Sequence, residues 1–186
     1  IQQYPTDPLF GQALLEQGRT KFLAGDIDGA IEFYLNIGEA YGYLPEVAEA
    51  LWRAGYLYGT NDNPTQSRAV FEKLATYYPD TEQARSGLFL AASAAYNLND
   101  LTGAERLYAR MAVTTTGEDQ AAAYLWVGRL AIQRGDQQAG NDALRLAVNA
   151  APDSYFSARA QDILDGRDSF ARPVNLTFQF EDAAQL

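Results

Sequence analysis

The sequence predicts an all-α protein: a right-handed solenoid of about four helical hairpins, closed by a capping helix and followed by an irregular C-terminal tail. Three observations predict it. One set of small and large residues returns four times in step along the 186-residue chain. Short turns built on Gly, Asn and Asp return with the same step. A second series of boundaries, marked by Pro, Gly, Ser or Thr, falls between them. Repetition on this scale is the mark of stacked hairpins, each burying its apolar face on its neighbours.

Four anchors set the step: Gly18, Gly55, Ala92 and Gly128, spaced by 37 (18 to 55), 37 (55 to 92) and 36 (92 to 128) residues. With Gly18 go Leu14, Ala30, Tyr34 and Ile37; with Gly55 go Leu51, Tyr58, Ser67, Phe71, Leu74 and Pro79. Ala92 brings Leu88, Ala104, Tyr108 and Met111, and Gly128 brings Tyr124, Gly140, Leu144, Ala147 and Pro152. Small residues let two antiparallel helices approach at their crossing, and large ones fill the groove beside it. The pattern resembles the tetratricopeptide repeat. That repeat wants a small residue at positions 8, 20 and 27, bulky ones at 4 and 11, an aromatic or large apolar one at 24, and often Pro at 32. Its usual period is about 34 residues; the two or three extra residues here are expected between hairpins, lengthening the start of the next helix. Lys21 and Ala131 depart from the usual Tyr at position 11, as Gly42 and Thr116 do from the Pro at position 32.

Turn chemistry places each element in order. Within hairpins, Gly25-Asp26, Asn61-Asp62-Asn63-Pro64, Asn99-Asp100 and Gly135-Asp136 combine a residue tolerant of the left-handed region with a helix-capping Asp or Asn. Pro64 suits the first turn of a helix, where its missing N–H costs nothing. Between hairpins, Pro45, Pro79-Asp80-Thr81, Gly117-Glu118-Asp119 and Pro152-Asp153-Ser154 mark the other boundaries. The predicted helices run 11–24, 27–41, 46–60, 64–78, 81–98, 101–114, 118–134, 137–150 and 153–165. The last covers the apolar end of the fourth hairpin. The domain reading is an N-terminal extension over 1–10 and a repeat domain over 11–166, with hairpins near 11–45, 46–81, 82–117 and 118–152. A tail follows over 167–186. There Phe170, Pro173, Val174, Leu176, Phe178 and Phe180 lack helical spacing and are expected to pack along the last hairpin; Thr177–Phe180 has the pattern of a short strand but no partner strand in the sequence. The chain begins at Ile1 rather than Met, and reads as an excised fragment.

Composition excludes several functions. The net charge of −10, from 24 acidic and 14 basic residues without a basic cluster, argues against nucleic acid and anionic membrane surfaces. Apolar runs such as Leu88–Ala92 fall far short of the roughly 20 residues a membrane span needs. With no His and no Cys, the commonest general base, the thiol nucleophile and most transition-metal ligands are missing. Lack of Cys fits a cytoplasmic protein and an envelope protein alike. The acidic pairs Asp26/Asp28, Glu118/Asp119 and Glu181/Asp182 stand at turns or helix starts, where carboxylates serve as caps. No phosphate-cradling loop occurs, and one formal glycosylation sequon stands at Asn175. The expectation is a fragment with no catalytic residue, no cofactor and no metal.

The site expectation comes from geometry. First helices of such hairpins line a concave face, mainly through positions 2, 5, 9, 12 and 13. These positions bring forward Arg19, Trp52, Tyr56, Phe89, Ser93, Tyr96, Asn97 and Arg129, an aromatic centre with an arginine toward each end. Exposed aromatics with polar neighbours stack on sugars or grip an extended peptide; the alternative is that they pack among themselves. The clamp by which chaperone-binding tetratricopeptide domains hold a C-terminal carboxylate needs Lys and Asn at positions 5, 9 and 13. Leu15, Arg19, Trp52 and Tyr56 stand at 5 and 9 instead.

Two stretches carry finer resemblances. Phe71–Ala84, FEKLATYYPDTEQA, resembles a phrase repeated in bacterial envelope tetratricopeptide proteins, among them the Tol–Pal-associated periplasmic coordinator and a lipoprotein of the outer-membrane assembly machine. Ala151–Gly166, APDSYFSARAQDILDG, followed by Phe170 and EDAAQL, is similar to the end of the helical domain of soluble lytic murein transglycosylases. That resemblance implies a cell-envelope location, periplasmic or extracellular, and a non-catalytic arm that holds a peptidoglycan glycan strand or a protein partner. The family's lysozyme-like domain, with its catalytic Glu, would follow this region and is not on this chain. The other resemblance implies an envelope scaffold that binds protein partners with no linked enzyme.

Overall fold

The computed structural model describes residues 7–167. Among these residues the chain forms nine helices and no strand: α1 Phe10–Leu23, α2 Ile27–Ala40, α3 Val47–Thr60, α4 Pro64–Tyr77, α5 Glu82–Asn97, α6 Leu101–Thr114, α7 Gly117–Gln133, α8 Gln137–Ala150 and α9 Tyr155–Leu164. Each packs on the next, and α9 lies on both α7 and α8. The expected tail, the short strand, Asn175 and the Glu181/Asp182 pair lie outside the described residues.

One turn is used four times. Gly25, Asp62, Asn99 and Gly135 have φ of 81°, 61°, 59° and 95°, the left-handed geometry that stops a helix. The next residue, Asp26, Asn63, Asp100 or Asp136, sends its N–H back to the carbonyl of Lys21, Tyr58, Ala95 or Ala131 at 2.9–3.0 Å. The side chain of that same residue accepts the N–H of Gly29, Gln66, Gly103 or Ala139, starting the second helix. In the second hairpin the left-handed residue is therefore Asp62, with Asn63 as the cap. The boundaries between hairpins are less uniform. Thr81 and Ser154 cap α5 and α9, whereas Thr116 makes no side-chain cap on α7. The extra residues of the long repeat extend α5 and α7 to 16 and 17 residues, as expected. Before α3 they enter the loop instead, and α3 has the same 14 residues as α1.

What holds each hairpin is a large side chain of its second helix seated on a small residue of its first. Tyr34, Phe71, Tyr108 and Leu144 are all at most 2% exposed. A Cβ built on Gly18 would stand 2.4 Å from the Tyr34 ring, one on Gly55 2.9 Å from Phe71, and one on Gly128 2.7 Å from Leu144. Fully burying such a side chain stabilises by about 1.5–3 kcal/mol. Along the stack, first helices touch each other directly (α3 with α5, α7 with α9), whereas second helices chiefly meet the flanking first helices. That wedge leaves first helices on an inner face and second helices on an outer one.

Charged links tie α4 to α6 on the outer side. Arg68 pairs with Glu72 at 2.7 Å and reaches Asp100 at 2.6 Å, while Arg106 meets Glu72 at 3.1 Å. Arg110 donates to the Ala75 carbonyl at 2.6 Å. Burial works against ionised Glu72, but hydrogen bonds from Arg68 and Arg106 outweigh it and hold its carboxyl below the ordinary value. Asp100 is also lowered, by the Gly103 N–H first and Arg68 second.

Replacing Gly55 by Val forces its side chain into the Phe71 ring, and should destabilise the fold by about 1–3 kcal/mol, read as a lower urea midpoint. The lowered carboxyls make stability depend on pH in one direction. Their contribution is full above the ordinary carboxylate range, about pH 4–5, and is lost as pH falls through the depressed folded-state values. Arg68→Gln should flatten that acid limb in urea midpoints measured from pH 7 down to pH 3; an unchanged limb would contradict it.

Candidate functional site

The inner face carries a series of hollows, and those beyond the N-terminal one are linked by shared residues. At the N-terminal end, Arg19, Phe22, Tyr34, Trp52, Arg53, Tyr56 and Leu57 line a hollow of about 260 Å³. Trp52 and Tyr56, one helical turn apart on α3, stack with ring centroids 5.2 Å apart and planes 11° from parallel. Tyr56 keeps 47% of its surface exposed. The Trp52 Nε1–H donates to Ser86 Oγ at 2.9 Å, which fixes the indole and joins α3 to α5. Beneath them the Arg53 guanidinium lies 5.8 Å from the Tyr34 ring centroid and bonds Glu49 through Nε at 2.7 Å. Burial disfavours its charge, yet hydrogen bonds with Tyr34 and Glu49 win, so Arg53 stays firmly cationic.

The central hollow, about 450 Å³, is lined by Glu82, Arg85, Ser86, Phe89, Leu90, Met111, Asp119, Ala122 and Phe156. Phe89 meets the Tyr108 ring edge to face at 5.8 Å, and Ser93 Oγ shares a hydrogen bond of 3.1 Å with the Tyr108 hydroxyl. Burial pushes the Tyr108 phenol up, so it stays protonated. Phe156 leads on to a hollow of about 150 Å³ between α7 and α9, bounded by Leu125, Trp126, Arg129, Tyr155, Phe156, Arg159 and Ile163. Trp126 and Arg129 also border the last, about 280 Å³, with Tyr96, Leu130, Ile132, Gln133 and Ile163. Trp126 stacks on Tyr108 (5.4 Å, 5°) and takes the edge of Tyr96 (5.4 Å, 61°). Arg129 lies over the Trp126 ring, 4.5 Å from its centroid.

Of the residues expected on the concave face, seven of the eight fall on these hollows or directly behind them, and they serve different ends. Arg19, Tyr56 and Arg129 are exposed, and Trp52, Phe89 and Tyr96 are half-buried and braced by neighbours. Ser93 supports Tyr108 from the side. Asn97 is exposed at the end of α5 and lines none of the hollows described. Sequence reasoning passed over Trp126, because it stands at position 6 rather than 5 of its repeat. Position 6 meets the position-24 side chain of the preceding hairpin: Arg53 on Tyr34 and Trp126 on Tyr108 follow that one rule. The α9 residues Tyr155, Phe156 and Arg159 were passed over too, since α9 entered only as a cap.

The tetratricopeptide repeat family model matches residues 49–81, which is the α3–α4 hairpin with its following turn. A crystal structure of MamA superposes with a TM-score of 0.60 at 18% identity, covering 84% of this chain and 81% of that one. A tetratricopeptide repeat protein from Parabacteroides merdae gives 0.62 at 14% identity, over 84% of this chain and 60% of that one. The fold is the tetratricopeptide-type solenoid. PilF of Pseudomonas aeruginosa shares it as well, with a TM-score of 0.55 at 18% identity over 86% of this chain and 69% of its own. No curated protein sequence matches the chain. Among the solenoid's described residues no group of three acidic, His or Cys side chains comes together as a metal site, and no helix is long and apolar enough to cross a membrane.

Two substitutions separate packing from surface in this solenoid. Trp126→Ala removes the ring between Tyr108, Tyr96 and Arg129, and should cost about 3 kcal/mol of stability. Tyr56→Ala trims an exposed ring and should cost less than about 1 kcal/mol. Equal urea midpoints for the two variants would overturn this division.

Proposed function

We propose that this chain is a non-enzymatic docking module that holds a segment of a protein partner along its concave groove. A tetratricopeptide-type fold builds an extended inner surface for binding, and its hairpins have no need of a catalytic centre. The observation that carries the placement is the half-exposed Tyr56 ring stacked on an indole that Ser86 pins in place. Rigid aromatics with open faces give contact area at low entropic cost. The same stacked pair also suits a sugar ring, which supports a second reading: the groove holds a glycan strand, and the chain is the helical arm of a lytic transglycosylase-like protein. The resemblance of Ala151–Gly166, the segment forming α9, favours it. An envelope scaffold without a linked enzyme is the form the first reading takes. In either form we place the protein in the cell envelope, on the strength of those sequence resemblances.

Random linear peptides displayed on phage and selected on the immobilised chain, set beside titration with soluble peptidoglycan fragments, test these readings. Selected peptides should bind, and Trp52→Ala and Tyr56→Ala should each weaken them by about tenfold or more. Binding unchanged in both variants would remove the concave placement. Binding of peptidoglycan fragments alone, weakened by the same substitutions, would put the glycan reading first.

A further inference from the structure

We propose that the segment seated in the groove is acidic, with one Asp or Glu carboxylate bound by Arg129 at the α7–α9 end. This rests on the docking reading above and adds the chemistry of the partner. The chain has 24 acidic residues against 14 basic ones, so intramolecular carboxylates are abundant. Nearly every described basic side chain is engaged. Arg19, Lys21, Arg53, Arg68, Arg106, Arg134, Arg145, Arg159 and Arg167 ion-pair, and Arg110 bonds a carbonyl. Among the described residues only Lys73, Arg85 and Arg129 make neither kind of contact, and the two arginines line the groove.

Their settings differ. Arg85 shares its hollow with Glu82 and Asp119, whose charges offset it. Arg129 has no carboxylate among the described residues lining its two hollows. It rests on the Trp126 face, which orients the plane of the guanidinium while leaving its N–H fork unused. Leu125, Phe156 and Ile163 form an apolar wall beside it. A low-dielectric wall strengthens a charge-assisted hydrogen bond, and a planar guanidinium matches a carboxylate with two parallel N–H···O contacts. The hollow asks for a carboxylate next to an aliphatic or aromatic side chain. A polyphosphate ligand would need many cations to overcome a net charge of −10, and among the described residues the groove has one cation unopposed.

The two tryptophans of the sequence stand one at each end of the groove, so a Trp52→Phe chain reports on the Arg129 end through Trp126 fluorescence alone. The peptides selected above should be enriched in Asp or Glu beside an apolar residue. Resynthesis with Asn or Gln in place of that acid should weaken binding about ten- to a hundredfold. Arg129→Gln should cause a matching loss, with little further loss when both changes are combined. Lys73→Gln, which removes the same charge from an exposed side chain that lines none of the hollows described, should change affinity less than threefold or so. Peptides without acid enrichment, or acid-bearing peptides indifferent to Arg129→Gln but weakened by Tyr56→Ala, would overturn this inference and leave peptide docking intact. Failure of every peptide to bind would take both down. Peptidoglycan fragments that bind where peptides do not, and lose affinity in Arg129→Gln, would replace the peptide by a glycan-linked acid.

Discussion

The contact on which the rest depends is the seating of one large side chain from each second helix on one small residue of the first. At Gly18, Gly55 and Gly128 even a methyl group would stand closer than 3.0 Å to the ring or branch that lies on it. Close approach there fixes how far apart the paired helices run. With the four turns of common geometry, it also fixes their angle and register. In the third hairpin the corresponding residues are Ala92 and Tyr108, both buried, so the constraint is on volume rather than on glycine as such. Stability in such a stack is a sum of hairpin terms and neighbour terms, so one well-made contact repeated four times carries the architecture.

The same contact shapes the inner face. Tyr34 and Tyr108, seated deep in their hairpins, find partners for their hydroxyls in different places: Arg53 of the next first helix donates to Tyr34, and Ser93 of Tyr108's own hairpin shares a hydrogen bond with Tyr108. A buried phenol needs such a partner. Around Tyr108 the requirement extends outward: Trp126 covers its face, Tyr96 closes the edge, and Arg129 lies on top. Part of the aromatic surface of the groove is therefore the outer layer of a core cluster. Tyr56 and Arg129 stand at its open margin, where packing asks least of them.

Electrostatics divides the molecule in a parallel way. On the outer side the acidic surplus is used to bridge α4 and α6 through Arg68, Glu72, Arg106 and Asp100. On the inner side Arg129 is left to an aromatic face. Partly exposed ion pairs contribute little singly, but a shared network of four groups holds its geometry better than isolated pairs. The four outer groups balance one another, two cations against two carboxylates, while Arg129 inside the groove has an aromatic ring for its neighbour.

Most of the fold was legible along the chain. The small residues at position 8, the large ones at 24 and the turn pairs are local or one hairpin apart, and local rules for capping and helix crossing apply to them directly. All nine helices accordingly fall close to their expected bounds. Less was legible where a residue's role depends on the neighbouring hairpin. Asp62 took the left-handed place that Asn61 shares in the sequence. The extra residues before α3 went into a loop, and Trp126 found Tyr108 across a hairpin boundary. By itself the sequence determined the repeat, its helices and the face that lines the groove, because those follow from periodicity and short-range sterics. Which of the concave residues brace one another and which remain open was decided only by the tertiary structure. That depends on the spacing and angle between successive hairpins, a sum of many packing contacts that no single repeat contains.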